Sequence, residues 1–438
     1  MKKSLKQFTA ALALLLVISI LAVSCSAPAN GGDKTKITDG NIETQSPDNG
    51  DEVIKFEELT PDFDSSGAKA DPAVQDAYKK LGDSVRQSGN KIITEIDEDD
   101  FVFSPLSFYL AFATLYNGAN GEGAEELKQL LIDSSDLDQE MLNKACGLLI
   151  RELTSNEDFK VEVNTLLAGR IEYEFAADFL QAAADYYEAV GVKMDFSSPE
   201  ALAALNKWTK EKTKGLIDPL FPLDYQFDDL TAMVLINTVY LLGKWEVPFD
   251  PNSSYENIFN GLNGETKVEM MCDRYMMDYA ETDNYQLVSL KYEGGATMNL
   301  YLPVEGVTPK EILLADREDT TVSTDIELTL PKYEMESNIG LMDMLGKLTP
   351  SILMPESLQE VMTVNDKPVT DLFVSDSFQK AKIKVDEKGT EAAAATAISA
   401  PESAAPENVF RLSFDRPFTW EIVYDDVPLF SGVVSNLP

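Results

Sequence analysis

The spacing of apolar residues divides the chain into two halves of different period. From Asp71 to about Gly191 the spacing is helical: Val74, Ala77, Tyr78, Leu81 and Val85 form one stripe, Leu106, Tyr109, Leu110 and Ala113 a second, and Leu142, Ala145, Leu149 and Ile150 a third. Pro105 stands where a first helical turn tolerates a missing N–H, and Gly118 and Gly121 interrupt the pattern before Glu122 opens the next helix. Further on, strands take over. Met233 to Leu242 reads MVLINTVYLL, a nearly continuous apolar run that predicts a central strand covered on both faces. Ile326, Leu328 and Leu330 alternate with polar neighbours, as do Ala381, Ile383 and Val385 with Lys380, Lys382 and Lys384, which predicts half-buried strands. Near the end Phe418, Trp420, Ile422 and Tyr424 alternate, Asp425 to Pro428 turn, and Leu429 to Val434 return. The expected class is α+β, with helices early and large sheets later.

The apolar residues, 44% of the 438, are spread evenly from Asp71 onward with no interior linker tract, so residues 71–438 are expected to form one large domain. The preceding part differs in kind. Lys2, Lys3 and Lys6 lead into an apolar stretch from Phe8 to Val23, closed by Ala22-Val23-Ser24-Cys25. This tetrad resembles the lipobox of bacterial lipoproteins, which implies a signal peptide over 1–24 and a lipid on Cys25 that would hold the protein to a membrane. Ala22 stands where the lipobox leucine is usual, and an ordinary cleaved signal or a short uncleaved anchor remains open. Residues 25–70, rich in Gly, Pro, Ser, Thr, Asn and Asp, read as a flexible tether reaching on the order of 35 to 40 Å. Cys146 and Cys272 show no framework spacing and read as buried free thiols.

Charge and missing residue types exclude most chemistry. The net charge of −39 lies almost wholly in the predicted domain. Such a field repels nucleic acid, anionic lipid and heparin-like polyanions, and favours basic partners. The chain has no histidine, which removes Ser-His-Asp and Cys-His machinery and HExxH zinc sites. No GxSxG, GxxxxGK[ST], CxxC or GxGxxG in a strand-to-helix context is present, and the acids from Asp133 to Glu140 lack the central glycine of a calcium loop. No cofactor or metal site is expected, and the chain does not read as an enzyme.

The most unusual segment follows the strand ending at Val385. It runs DEKGTEAAAATAISAPESAAPENVF from Asp386 to Phe410. Alanine is the best helix former and a poor strand former, yet Gly389 precedes the alanines, Pro401 and Pro406 follow, and no large apolar side chain anchors Thr390 to Ala397. Taken alone, this is equally an exposed loop with no task.

Its neighbours narrow the choice. Glu387-Lys388-Gly389-Thr390-Glu391, then Ala392, Ala393, Ala394, Ala395 and Thr396, resembles the reactive-loop hinge of inhibitory serpins, and residues 386–409 as a whole resemble hinge and loop. Five further stretches fall in that family's order: Ser104-Pro105-Leu106-Ser107 with Tyr116-Asn117-Gly118-Ala119; Leu205-Asn206-Lys207-Trp208 with Thr213-Lys214-Gly215 and Ile217; Asn237 to Trp245 with Pro248-Phe249; Asp415-Arg416-Pro417-Phe418; and Leu429-Phe430 with Gly432. The resemblance covers essentially Asp71 to Pro438.

The resemblance implies a serpin fold, a large central sheet with smaller sheets, helices and an exposed loop, in a monomer that inhibits serine proteases as a suicide substrate. A protease attacks the loop, and the freed loop joins the sheet as an added antiparallel strand while the acyl bond survives. The alanine-rich stretch is therefore expected to lie outside the sheet at first. On insertion Thr390, Ala392, Ala394 and Thr396 face inward, Glu391, Ala393 and Ala395 outward. Counting along the family's loop puts the attacked bond at Ser403-Ala404, with Glu402 or Ala404 as alternative attacked residues, and the small side chains suit elastase-like or subtilisin-like proteases. Trp245 falls where the sheet opens. Ser104, Ser107, Asn237 and Gln379 fall at the mid-sheet polar cluster, where Gln379 replaces a histidine that many serpins bond to the asparagine. A non-inhibitory serpin acting as a binding module is the alternative.

Overall fold

The computed structural model describes residues 54–57, 60–132, 137–229, 231–317, 320–390 and 409–438. The helical stripes fold as the spacing predicts. Pro72–Glu95, Pro105–Tyr116 and Gln139–Ser155 are helices, and every stripe residue named above for them is buried. Ser104 caps the second by accepting the Ser107 N–H at 3.1 Å, which leaves Pro105 at a position needing no donor.

The central sheet is built from seven strands among the described residues. In chain order they are β1 (Ile54–Phe56), β2 (Phe159–Arg170), β3 (Ala189–Met194), β4 (Met233–Lys244), β5 (Tyr333–Gly340), β6 (Phe378–Asp386) and β7 (Gly389–Thr390). Their spatial order is β1-β3-β2-β4-β7-β6-β5. Only β2 and β3 run parallel; the other neighbours are antiparallel. In β6 Ala381, Ile383 and Val385 are buried while the lysines between them point outward, as the alternation predicts. A nine-stranded sheet packs against this one and carries Phe418–Tyr424 and Val427–Val434, joined at Asp425 and Asp426, both with positive φ. The helices and both sheets share one core in which Trp420, Tyr109 and Phe418 are fully buried.

Two expectations need correction. The run MVLINTVYLL is covered less than predicted: Met233, Val234, Leu235, Asn237, Val239 and Leu242 are only half-buried, because among the described residues β4 has a neighbour on one edge alone along most of its length. The folded body also begins earlier than residue 71. Ile54–Phe56 adds to the outer edge of β3, Asp64 caps a short helix over Ser65–Ala70, and both belong to the same compact unit as the rest of the described chain. Phe63 fills the space over Gly147, where a Cβ would lie 2.9 Å from its ring, and meets Tyr186 edge-on at 5.3 Å. Gln181 donates to the Thr60 carbonyl, and Glu57 and Glu174 both pair with Lys193, which is buried. Local composition concealed this because Phe63 and a three-residue strand are set in a polar stretch.

A chain starting at Asp71 is therefore expected to unfold at a lower temperature than one starting at Asp51. Phe63→Ala in the longer chain should reproduce about 2 kcal/mol of that loss, measured by denaturant or thermal unfolding.

Candidate functional site

The site is the line between β4 and β6. Among the described residues these strands do not pair with each other. They are joined at one end by the two residues of β7, with Gly389 opposite Lys244 and Asp386, and Thr390 opposite Gly243 and Val385. Gly389 has a φ of 149°, and a Cβ there would fall 1.9 Å from the Gly243 carbonyl oxygen, so only glycine brings the chain in so close. Thr390 is 3% exposed, and its hydroxyl meets the Tyr292 hydroxyl at 2.5 Å. The threonine predicted to start outside the sheet is thus already within it.

Around this wedge the chain is clamped. Trp245 donates its backbone N–H to the Lys388 carbonyl and its indole N–H to the Asp386 carbonyl, each at 3.0 Å, and stacks on Tyr292 at 4.4 Å. Glu387 is 7% exposed; its carboxylate takes Lys332 at 2.5 Å and the Ser254 hydroxyl at 2.8 Å, while its carbonyl accepts the Phe249 N–H at 2.9 Å. Burial pushes the Glu387 carboxyl up, but Lys332, Ser254 and a backbone N–H outweigh it and hold the group below its ordinary value. Tyr292, Lys332 and Ser254 escaped sequence reasoning, since each lies in an ordinary strand or turn context far along the chain from the hinge.

Beyond Thr390 a narrow gap between the strands is lined by Val239 and Leu241 of β4, Ile383 of β6, and Ile422 and Phe430 beneath. A separate, larger cavity of ≈ 160 Å³ lies toward the Met233 end, walled by Phe108, Phe112, Leu235, Phe221 and Phe378. The predicted polar cluster lies at its rim, in an arrangement that departs from expectation. Asn237 and Gln379 are not bonded to each other. The Asn237 amide donates to the Thr165 hydroxyl and accepts from the Ser107 hydroxyl, both at 2.9 Å. Gln379 clasps the backbone of Ser104, accepting its N–H at 2.7 Å and donating to its carbonyl at 2.9 Å. Each strand grips the first turn of the Pro105–Tyr116 helix, and that turn sets their separation.

Comparison with known proteins then places the chain. The family model described as Serpin (serine protease inhibitor) matches residues 87–437. The chain belongs to the serpin family. A serine protease inhibitor of Rattus norvegicus is 32% identical over 345 residues, covering 75% of this chain and 80% of that protein. The crystal structure of Serpin48 of the insect Tenebrio molitor superposes with a TM-score of 0.72 at 25% identity, over 82% of this chain and 98% of that one. A thermophilic serpin, Tengpin, in the native state gives 0.72 at 26% identity, over 83% and 94%. The serpin fold expected from the sequence is thereby established, and the family's general role is inhibition of serine proteases.

Glu391 to Thr396, the bond candidates Glu402, Ser403 and Ala404, and Cys25 lie outside the described residues. The two internal thiols are free, but Cys272 is half-buried rather than buried. Burial pushes the Cys146 thiol up to about 12, so of the two internal thiols Cys272 should react with a thiol reagent at pH 8, slowly, and Cys146 should not.

The clamp makes a pH-dependent prediction. Because the Glu387 carboxyl sits below its ordinary value when folded, its contribution is present above the usual carboxylate range and lost as the pH falls through the folded value. Lys332→Met should cost about 2 kcal/mol at pH 7. The difference from wild type should shrink as the pH drops below about 4, measured by urea unfolding across pH.

Proposed function

We propose that this serpin is a suicide-substrate inhibitor of serine proteases, whose loop is cut near Ser403-Ala404 and then fills the line between β4 and β6. The observation that carries the reading is the seating of Thr390 between two strands that, among the described residues, do not pair with each other. Carrying both registers forward residue by residue puts Thr396 opposite Asn237 on β4 and opposite Gln379 on β6, so a straight strand satisfies both edges at once. Thr390 fixes the phase: Ala392, Ala394 and Thr396 share its inward face, and all are small enough to pass over Val239, Leu241 and Ile383. A threonine hydroxyl arriving between two amides suits that polar rim.

A ladder of roughly ten hydrogen bonds at about 1 kcal/mol net gives on the order of 10 kcal/mol for the insertion. That drives capture only if insertion outruns hydrolysis of the acyl-enzyme. The small residues around Ser403 suit a shallow primary pocket, as in elastase-like or subtilisin-like proteases, with Glu402 and Ala404 as the neighbouring choices. We further assign export and a lipid on Cys25, which would hold a monomeric inhibitor at the extracellular or envelope surface.

Thr390→Arg would force a cation against Tyr292 and should convert inhibitor into substrate: the loop is still cut, but no detergent-resistant complex forms. Undiminished complex formation by this variant would refute the mechanism. Mass spectrometry of the fragment released by elastase, subtilisin, trypsin and chymotrypsin should place the cut at Ser403-Ala404 or one residue away. The nicked protein should melt well above the intact one; preference for trypsin would refute the assigned specificity.

A further inference from the structure

The polarity of the central sheet relates the place where the chain joins the domain to the place where a captured protease would be left. β4 runs from Met233 to Lys244, and the hinge sits at its Lys244 end. Gly169 of β2 lies opposite Met233, Arg170 beside Met194 of β3, and Ile54 of β1 opposite Met194. The first strand therefore starts at the Met233 end, about 36 Å along the sheet from the hinge. Continuing the register of β7 brings residue 403 three positions past Met233, to that same end. Four strand spacings, about 19 Å, then separate the acylated residue from β1. A protease of about 230 residues has a radius of gyration near 17 Å and a width of about 45 Å. Its radius exceeds the lateral offset, so it overlies the point where β1 begins.

We propose that the segment from Cys25 to Val53 is a spacer whose length decides whether the captured protease fits between domain and membrane. This rests on the suicide-inhibitor reading and on lipidation of Cys25. The 29 residues span at most roughly 100 Å when drawn out, more than twice the width of the protease. Eight residues would span at most about 28 Å, and the membrane would then block the last part of the insertion. The last described residues before the loop, Gly389 and Thr390, pair at the Lys244 end of β4, away from the end where β1 starts, so on this proposal the tether does not touch the initial attack. A short tether therefore changes the fate of the acyl-enzyme and leaves the rate of loop cleavage alone: insertion stalls, water hydrolyses the ester, and the loop is released cut.

The test uses the full chain, lipidated in cells and reconstituted in phosphatidylethanolamine and phosphatidylglycerol vesicles, with subtilisin as the probe. Four forms are compared: the anchored chain, the anchored chain lacking residues 27–47, and the soluble counterpart of each beginning at Ser26. The readout is the ratio of detergent-resistant complex to nicked inhibitor, with the cleavage rate measured in parallel. The anchored deletion should shift several-fold toward nicked product at an unchanged cleavage rate, both soluble forms should trap equally, and an unrelated Gly/Ser stretch of the deleted length should restore trapping. Equal trapping by both anchored forms, with the soluble forms active, would overturn the spacer and leave the inhibitor reading intact. Soluble forms that are only nicked would remove the inhibitor reading and the spacer with it. Absence of an acyl label on Cys25 would overturn the spacer alone.

Discussion

The pairing of two residues, Gly389 and Thr390, with a strand on each side is the contact on which the rest of this molecule depends. It holds β4 and β6 apart at one end, fixes the register any following residue must adopt, and needs a glycine because the Gly243 carbonyl occupies the space of a side chain. A strand pair separated by a wedge cannot close without expelling it. Beyond the wedge, β4 and β6 do not pair with each other among the described residues, so the two residues of β7 are what joins them.

The clamp and the polar rim divide the labour differently from what a direct strand-to-strand bond would do. Trp245, Tyr292, Glu387 and Lys332 fix the hinge by stacking, two backbone hydrogen bonds and an ion pair, all at one end. At mid-sheet, Gln379 is satisfied by the Ser104 backbone at the start of one helix, and Asn237 by Ser107 of that helix's first turn and Thr165 of β2. An arriving residue there need not break an Asn–Gln bond, because none exists to break; it has only to fit between two side chains whose positions are already fixed. Rigid supports on both sides favour a single register over slippage.

Much of this was legible in the sequence, and the omissions have physical causes. Helix stripes such as Val74-Ala77-Tyr78-Leu81-Val85 and the alternation around Ile383 are periodic signals, and periodicity is set by local geometry. The hinge stood out because its composition breaks local rules: a run of alanines directly after a strand, bracketed by Gly389 and Pro401. Tyr292, Lys332 and Ser254 were invisible because nothing in their own neighbourhoods marks them; they matter only through residues brought close by the fold. The docking of Phe63 was missed for the opposite reason, since a polar, Gly- and Pro-containing stretch hides one aromatic that fills a hole over Gly147.

The absence of histidine acquires meaning only with this geometry in view. With an imidazole at the Gln379 position, protonation near neutral pH would place a charge against the Ser104 backbone at mid-sheet. Glutamine keeps the donor and the acceptor without the titration, and both are used on Ser104. At the hinge the Glu387 carboxyl, paired with Lys332, is held below its ordinary value and stays charged across the neutral range. The forces that keep the wedge seated and the strands apart are therefore nearly constant wherever carboxylates are ionised and lysines protonated. The glutamine at mid-sheet and the ion pair at the hinge thus give this part of the fold no group that changes charge near neutral pH.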